Sequence, residues 1–286
     1  MRVCTIFNNA CPWTTGIHIN RAFEKIGVDT LFASPTETKP DADLYVYVDS
    51  ANIDPIDTPK EKTIYYAIDS YQLEPSMFVK LGGSKGDMTT GRKGWWITIP
   101  DQVKLLFNAF EQGRTFFKSI GADSMTIEMG INEDIYFPVD MPTKYNVCFI
   151  GSVGSPTTPH LNSRNRLLDK IASKHTVYVP KVCNEELSNA AHISKVFLDI
   201  PPLDGDMLGQ RFFEGYGLGR VMVSPKRPAL DRYLGPGIFE YTNEEDILPT
   251  IDAALAYQKD HPIVVRDVEH MKWTTKVSIM VEEFLK

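Results

Sequence analysis

The stretch DMLGQRFFEGYGLGRVMVS, residues 206–224, contains the local pattern from which the fold can be worked out. A loop ends at Gly209, a helix is expected to begin near Gln210, and RVMVS (220–224) follows as a strand. Glycine is a poor helix former, so Gly209 separates the loop from the helix. The final run has the apolar and β-branched character of a fully buried strand. Strands connected through helices are the repeating unit of a doubly wound α/β sheet.

The same alternation of strands and helices fills the first half of the chain. The apolar runs are short and rich in β-branched and aromatic residues, which favours strands, and the longer segments between them have helical spacing. Strands are predicted for RVCTIF (2–7), VDTLFA (28–33), DLYVYVD (43–49), TIYYAID (63–69) and WWITI (95–99). Helices are predicted for GIHINRAFEKIG (16–27), which ends at Gly27, and for PDQVKLLFNAFEQG (100–113), with Asp101 as N-cap and Gly113 as stop.

The pattern then restarts. The proline-marked segment DIYFPVDMPTKY (134–145) is followed by YNVCFIGSVG (145–154), a new strand that runs into a turn of small residues. We therefore predict an α/β protein of two Rossmann-like, doubly wound domains that face each other across a cleft. The domains are placed at residues 1–140 and 141–286, and the C-terminal helices are expected to pack back toward the first domain.

Composition limits the classes of function. The chain has 286 residues, is 43% hydrophobic and carries a formal charge of -7, which argues against a general electrostatic grip on nucleic acid or anionic membrane. It has neither an apolar run long enough to span a bilayer nor a recognisable signal peptide. The four cysteines lack metal-ligand spacing. These features predict no membrane span, no metal site and a cytoplasmic location with reduced thiols.

The opening stretch also predicts a binding site. Asp206 projects from the loop and Glu214 from the first turns of the helix, eight positions further on. Between them lie the N–H groups of a helix start, which suit a phosphate or diphosphate, and Arg211 can bind the same anion. Each carboxylate can accept two hydroxyl hydrogens and so hold a vicinal diol. The order of diol binder, anion binder and diol binder matches a nucleotide sugar.

This arrangement resembles the motif of Glu, seven residues and Glu in nucleotide-sugar glycosyltransferases of the GT-B fold, with aspartate in the first position. The chain is most similar to the spore-maturation-type glycosyltransferases, whose C-terminal half carries an Asp…Arg-x-Phe-Glu signature. The likeness covers about residues 120–260 and is weak over the first hundred. Further segments that resemble this group are TIEMGINEDIYFP (126–138), YNVCFIGSVGSP (145–156), RNRLLDKI (164–171), ISKVFLDI (193–200) and GIFEYTNEEDI (237–247).

The resemblance implies a role for each residue of the predicted donor site. Glu214 would hold the ribose of the donor, and Asp206 would hold hydroxyls of the transferred sugar. The donor would be a nucleotide-diphosphate sugar, with UDP-sugar as the expected type, and no cofactor is expected. The other implied donor-binding residues are Gly209, Gln210 and Arg211 at the diphosphate, Gly151 and Ser152 in the turn facing the cleft, Arg164 or Arg166 at the phosphates, and Lys181 and Val182 at the nucleobase.

Two further catalytic candidates lie in the first domain. His18 is beside the first strand-to-helix turn, where it could contact an acceptor or act as a base. Asp69 ends a strand at the predicted cleft, but Ile68 stands where retaining members of the group have histidine. We expect a hexosyl- or pentosyltransferase that retains anomeric configuration. Helix-start amides and Arg211 can stabilise the departing diphosphate, so catalysis is expected to be metal-independent.

The sequence leaves more than one acceptor and more than one class of function open. The segment KLGGSKGDMTTGRKG (80–94) holds five glycines and four basic residues, so it is either a plain surface loop or an arm for an anionic acceptor such as a modified base in DNA. A glycan or another hydroxyl compound is an equal alternative. The whole protein could also be a non-catalytic, two-lobed binder of a nucleotide or sugar. A Rossmann-type dehydrogenase is disfavoured because NNACPWTTG (8–16) lacks G-x-G-x-x-G.

Overall fold

The computed structural model describes residues 1–8, 14–48, 56–68, 92–154, 162–201 and 207–286, with the side chains of 92–96 left aside. The chain forms two compact units. The first comprises Met1–Gly130 and Glu269–Lys286, and the second comprises Ile131–Val268. The domain boundary predicted between residues 140 and 141 differs from this division into units at two places. Residues 131–140 belong with the second unit, and the C-terminal residues from 269 onward belong with the first.

The first unit is built on a parallel sheet. Its described strands are β1 (Arg2–Ile6), β2 (Asp29–Ala33), β3 (Leu44–Val48), β4 (Thr63–Ala67), β5 (Leu105–Asn108) and β6 (Met125–Thr126), in the order β2-β1-β3-β4-β5-β6. Every residue of β3 and β4 is buried. Such continuous apolar strands are typical of a parallel sheet covered on both faces, which is why these segments fold centrally.

Four helices accompany the described strands of this sheet: α1 (Thr15–Lys25), α2 (Arg92–Gln102), α3 (Glu111–Ser119) and, from the end of the chain, α8 (Trp273–Leu285). Helix α1 ends at Lys25, two residues before the predicted end, and Gly27 follows with a φ of +81°, a left-handed conformation that glycine adopts without strain. Helix α8 packs along α1 and buries Trp273, Val277 and Met280. The expectation that the C-terminal helices return to the first unit is confirmed.

The second unit repeats the same architecture. Its described strands are β7 (Tyr145–Phe149), β8 (Val177–Tyr178), β9 (Ser194–Leu198), β10 (Val221–Pro225) and β11 (Ile238–Tyr241), all parallel, in the order β8-β7-β9-β10-β11. The helices are α4 (Asn162–Ala172), α5 (Asn184–His192), α6 (Gln210–Gly217) and α7 (Ile247–Asp260). In each sheet the first strand of the chain therefore lies between the second and the third, and two parallel-sheet α/β units are confirmed.

Two neighbouring predictions in the first unit are wrong. WWITI (95–99) lies within helix α2 rather than in a strand, and LLFN (105–108), predicted as helix, is strand β5. The spacing of Leu106, Phe107 and Phe110 fits a helix as well as it fits a buried strand, so periodicity could not decide between the two structures. The β-rich composition of WWITI reflects a weak preference that tertiary packing overrides. Pairing of β5 with both β4 and β6 fixes the outcome.

Candidate functional site

Helix α6 begins at Gln210, the residue predicted from the sequence. The helix connects β9 to β10, two parallel neighbours, so its first turn lies at the carboxyl end of the sheet, where doubly wound folds bind ligands. Gly209 is the N-cap, and there is open space where its Cβ would be. A helix start that is open on this side can bind a negative group through its N–H groups and dipole.

The opposite face of α6 fixes it firmly on the sheet. Phe212 and Phe213 are buried and contact Tyr233 through edge-to-face ring pairs. Gly215 lies so close to Phe197 of β9 that an added Cβ would come within 2.5 Å of the ring. The aromatic and small residues of QRFFEGYG therefore set the orientation of the helix on the sheet. That orientation places Arg211 and Glu214 together on the same side of the helix.

Arg211 and Glu214 form an ion pair across one turn of α6. Glu214 is 1% exposed, whereas the Arg211 side chain is 31% exposed. Burial alone would lower the pKa of the Arg211 guanidinium, but the charge and hydrogen bond of Glu214 raise it above its usual value. The predicted anion binder and diol binder are thus adjacent, and the arginine is charged at physiological pH.

Tyr136 and Cys183 complete this cluster, and sequence reasoning did not find either. Tyr136 is 1% exposed, and its pKa is raised first by burial and then by the negative charge of nearby Glu214. Cys183 is the N-cap of α5 and lies near both Arg211 and Tyr136. A tyrosine in a proline-marked segment and a cysteine ahead of a helix give no signal in the sequence that they meet at one site.

The turn after β7 contains the predicted residues Gly151 and Ser152. Arg164 of α4 lies over the Phe149 ring and donates from Nη1 to the Ser152 carbonyl at 2.7 Å and from Nη2 to the Ile200 carbonyl at 2.6 Å. A Cβ on Gly151 would meet Phe149 at 3.0 Å. Arg164 therefore binds backbone carbonyls that follow β7 and β9, and its alternative role at phosphates stays a prediction.

The remaining predicted donor residues lie at two places, on α4 and in the connection that leads to α5. Arg166, on α4, is 65% exposed and pairs loosely with Glu244 at 4.0 Å. Lys181 is exposed and Val182 half-buried in the connection between β8 and α5. Asn184, which starts α5, has a φ of 50° and is the positive-φ non-glycine residue of the described chain. These roles at phosphate and nucleobase stay predictions.

The catalytic candidates are distributed differently. Asp206 and Asp69 lie outside the described residues, as does segment 80–91 of the basic loop. His18 is in helix α1 of the first unit and is 3% exposed. Its role as acceptor contact or base stays a prediction.

Sequence reasoning missed a buried polar network that contacts the backbone just before the start of α6. Asp199 follows β9, Ser224 lies in β10, and Arg227 comes shortly after β10. Arg227 pairs with Asp199 and donates from Nη2 to Ser224 Oγ at 2.8 Å, while Ser224 Oγ donates to Asp199 at 2.9 Å. The other arm of Arg227 donates to the carbonyl of Met207. The available signal was an acid directly after an apolar strand, as in KVFLDI.

Two general properties of the described residues complete the description. Within the part of the chain that the structure describes, no group of three or more His, Cys, Asp or Glu is arranged to hold a metal ion. None of the helices in those same ranges combines the length and apolar character that a bilayer crossing requires.

Comparison with solved structures identifies the fold. The chain matches no protein-family profile and no curated protein sequence. It is similar over 100% of its length to the Anabaena protein HepE in complex with UDP-glucose (TM-score 0.65, 10% identity, 99% of that chain). It is similar to sucrose-phosphate synthase from Thermosynechococcus elongatus (0.60, 8%, 100% and 99%). It is also similar to the DNA-modifying enzyme β-glucosyltransferase (0.51, 11%, 99% and 97%).

The fold is GT-B. At these identities the likeness establishes the architecture alone. The spore-maturation-type subgroup stays a resemblance carried by the sequence motifs.

Proposed function

We propose that this protein is a glycosyltransferase that moves a sugar from a nucleotide-diphosphate donor to a hydroxyl acceptor. One observation carries the proposal: Arg211 and buried Glu214 are paired in the first turn of α6, behind a glycine N-cap, at the carboxyl end of the second sheet. An anion binder beside an acceptor-only carboxylate is what a diphosphate joined to a ribose requires. The GT-B fold supports the same function.

Donor binding would redistribute the bonds of Arg211. Glu214 is 1% exposed and pairs with Arg211. We propose that the partly exposed guanidinium turns toward the diphosphate, which uncovers the carboxylate for the ribose hydroxyls. The guanidinium has five N–H donors in a planar fork, so it can keep one bond to Glu214 while it binds phosphate oxygens. Tyr136 would then stay as the fixed neighbour of Glu214.

The same groups would assist bond cleavage. When the glycosidic bond breaks, negative charge grows on the diphosphate, and Arg211 with the first-turn N–H groups of α6 stabilises that charge. This chemistry supports a metal-independent transfer. Activity that is unchanged after chelation with EDTA is the expected result, and activity restored only by added divalent cation would contradict it.

The transferred sugar and the stereochemistry rest on the sequence motifs. We propose Asp206 as the group that binds the sugar hydroxyls, with His18 and Asp69 as first-unit residues near the acceptor. A retaining transfer to give a hexoside or pentoside follows from the two-acid motif. NMR of the anomeric proton in the first-formed product tests this, since an inverted anomer would exclude the retaining course.

The donor base is proposed to be uridine. Structures with this fold include HepE in complex with UDP-glucose and with UDP, which supports UDP-sugars as the first compounds to try. A ligand that binds only the folded protein raises its melting temperature, so UDP, GDP, ADP and their common sugars can be ranked in one thermal-shift screen. A larger shift with GDP or ADP compounds than with UDP compounds would assign another base.

Turnover decides between an enzyme and a binding protein. Release of free UDP from UDP-sugar, above the rate without protein, is expected for the transferase. The matched control is Arg211→Met, which keeps the volume of the side chain but removes the charge and is expected to lose about 100-fold in rate. Tight binding with no release of UDP, across a panel of acceptors, would favour a non-catalytic two-lobed binder.

The acceptor is proposed to be a hydroxyl compound, with a modified DNA base as one hypothesis. The basic segment 80–94 supports it, and β-glucosyltransferase is a DNA-modifying enzyme of the same fold. A gel-shift assay compares wild type with a variant in which Lys85, Arg92 and Lys93 are replaced by glutamine. Weaker, less salt-dependent DNA binding by the variant is expected. Equal binding would direct the search to glycans or small molecules.

A cytoplasmic location is proposed as well. Cys4 and Cys148 are buried thiols, and burial raises the pKa of Cys4 to about 11 and that of Cys148 to about 12. Such inert thiols fit a reducing compartment. Cell fractionation with a tagged chain tests the location, and recovery from the medium would contradict it.

A further inference from the structure

The network of Asp199, Ser224 and Arg227 joins three parts of the second unit. Asp199 is 4% exposed, Arg227 is 5% exposed and Ser224 is fully buried. The carboxylate and hydroxyl hold one nitrogen of the guanidinium, and the other nitrogen reaches the carbonyl of Met207. Met207 precedes the N-cap of α6 by two residues. A single charged group therefore ties the ends of β9 and β10 to the backbone that enters the helix.

The geometry points to Arg227 as a positioning residue of the donor site, oriented by Asp199 and Ser224. It fixes the backbone at Met207 and so the place where the first-turn N–H groups of α6 and Arg211 meet the diphosphate. This inference rests on the proposed function. Arg227 is assigned no contact with the donor, and it acts through the position of the helix start.

The chemistry of the network favours this role over simple stabilisation. A buried ion pair is often no more stable than apolar residues of equal volume, so stability alone gives little reason to place one here. A planar guanidinium held by two partners is directional and sets the position of the carbonyl that it binds. Groups that bind a developing charge need placement to within about 0.5 Å, which directional bonds provide.

Arg164 makes the corresponding bonds on the other side of the segment that leads to α6. It donates to the carbonyls of Ile200 at 2.6 Å and Pro201 at 3.3 Å, directly after β9. The chain is thus held by arginine at 200–201 and again by arginine at 207. Two separate buried arginines therefore bind the backbone at this edge of the sheet, and both contribute to its fixed position.

The experiment compares Arg227→Met with Arg266→Met. Arg266 is a matched control because it is also largely buried in the second unit and binds backbone carbonyls, those of Tyr216 at 3.1 Å and Arg220 at 2.9 Å. It lies at the far end of α6, away from the first turn. For each variant we would measure the melting temperature, the dissociation constant for UDP and hydrogen–deuterium exchange of peptides that cover 207–213.

Both variants are expected to melt at a lower temperature. Arg227→Met is expected to weaken UDP binding about tenfold or more and to speed exchange at 207–213, because the carbonyl of Met207 loses its fixed partner. Arg266→Met is expected to leave the affinity of the folded protein within about twofold. Arg227→Lys, which keeps the charge but lacks the fork, is expected to recover part of the affinity.

Several results would overturn the inference. Equal losses of affinity in the two methionine variants, or none in Arg227→Met, would reduce Arg227 to a structural residue. If Arg227→Met does not fold, Ser224→Ala removes one bond of the network and is expected to weaken UDP binding about threefold. Unchanged affinity and exchange in that variant would overturn it too. If wild type binds no nucleotide, the proposed function fails and takes this inference with it; if wild type binds and Arg227→Met binds equally, this inference fails alone.

Discussion

The two parallel sheets share one order over their first five described strands but differ in the residues that come directly after those strands. In the first unit, β1 is followed by Phe7 and β4 by Ile68, both buried apolar residues. A pocket of about 280 Å³ there is lined by Phe7, Ile17, Asn20, Arg21, Glu24 and Phe32. In the second unit, the chain after β7 and β9 is bound by the buried guanidinium groups of Arg164 and Arg227. The buried guanidinium groups that bind this backbone lie in the unit proposed to bind the charged donor, whereas the cation that binds backbone after β2 of the first unit is Lys39, at the carbonyls of Pro35 and Glu37.

This difference shows that one topology can carry two kinds of edge. The strand order brings the same positions together in both sheets, but the residues after each strand decide which groups lie at that edge. Function must therefore be argued from those residues and not from the fold.

The largest expected effect tests which unit the C-terminal helix supports. Trp273 is 1% exposed and contacts Tyr66 in an edge-to-face pair at 6.0 Å. Trp273→Ala should destabilise the first unit by about 3–5 kcal/mol through the cavity that it leaves. Hydrogen exchange followed strand by strand should show lost protection in β1 and β4 but retained protection in β7 and β9.

The control for this variant is Leu285→Ala, since Leu285 is 70% exposed on the same helix and should change little. Lost protection in β7 and β9, with β1 and β4 unchanged, would instead support a second domain that extends to residue 286.

The next effect concerns the ionic edge of the second unit. Glu214→Ala removes the carboxylate that pairs with Arg211 and is proposed to hold the ribose. Loss of charge-assisted hydrogen bonds to the donor should weaken UDP binding by about 3 kcal/mol, or roughly a hundredfold. Isothermal titration measures it. Glu24→Ala in the first unit is the matched control and should bind UDP as wild type does, and equal losses in both would remove the role assigned to Glu214.

An effect of similar size concerns the response of the second unit to pH. His192 is 2% exposed, and its Nδ1 accepts a hydrogen bond from Arg220 Nη2 at 3.1 Å. Burial, and then the charge of Arg220, lower the pKa of His192 from 6.5 to about 4. The unfolded chain then binds a proton between pH 6.5 and 4 that the folded chain does not. Stability of the second unit should therefore fall by up to about 3 kcal/mol as pH drops through that window.

The first unit should respond in a different range. Burial lowers the pKa of Lys276, on α8, from 10.5 to about 8, so stability there should rise as pH increases from 8 to 10.5. Denaturant unfolding of wild type and His192→Gln, measured across both windows, separates the two units. An acid response that is the same in His192→Gln as in wild type would show that another group is responsible.

Much of the second unit could be predicted from the sequence. Gly209 and the apolar run after Arg220 placed the start of α6 and strand β10 correctly, because glycine and periodicity act locally. The secondary structure of WWITI and LLFN was predicted wrongly because these two short apolar runs fit a helix and a strand equally well. Pairing with β4 and β6, which no local pattern contains, decided it.

The site was predictable only along one segment of chain. Arg211 and Glu214 are three positions apart on a helix, so their meeting follows from helical geometry. Tyr136 and Arg227 reach the same region from distant parts of the sequence. Their partners are set by the strand order of the sheet, which single-sequence reasoning does not supply.

The central claim is that the diphosphate of a nucleotide sugar lies at the start of α6. A crystal structure of the protein with UDP tests it most directly. We predict phosphate oxygens within about 3 Å of the backbone N–H groups at Gln210 and Arg211 and of the Arg211 guanidinium, with the ribose at Glu214. UDP bound elsewhere on the chain, with Arg211 still paired only to Glu214, would contradict the account.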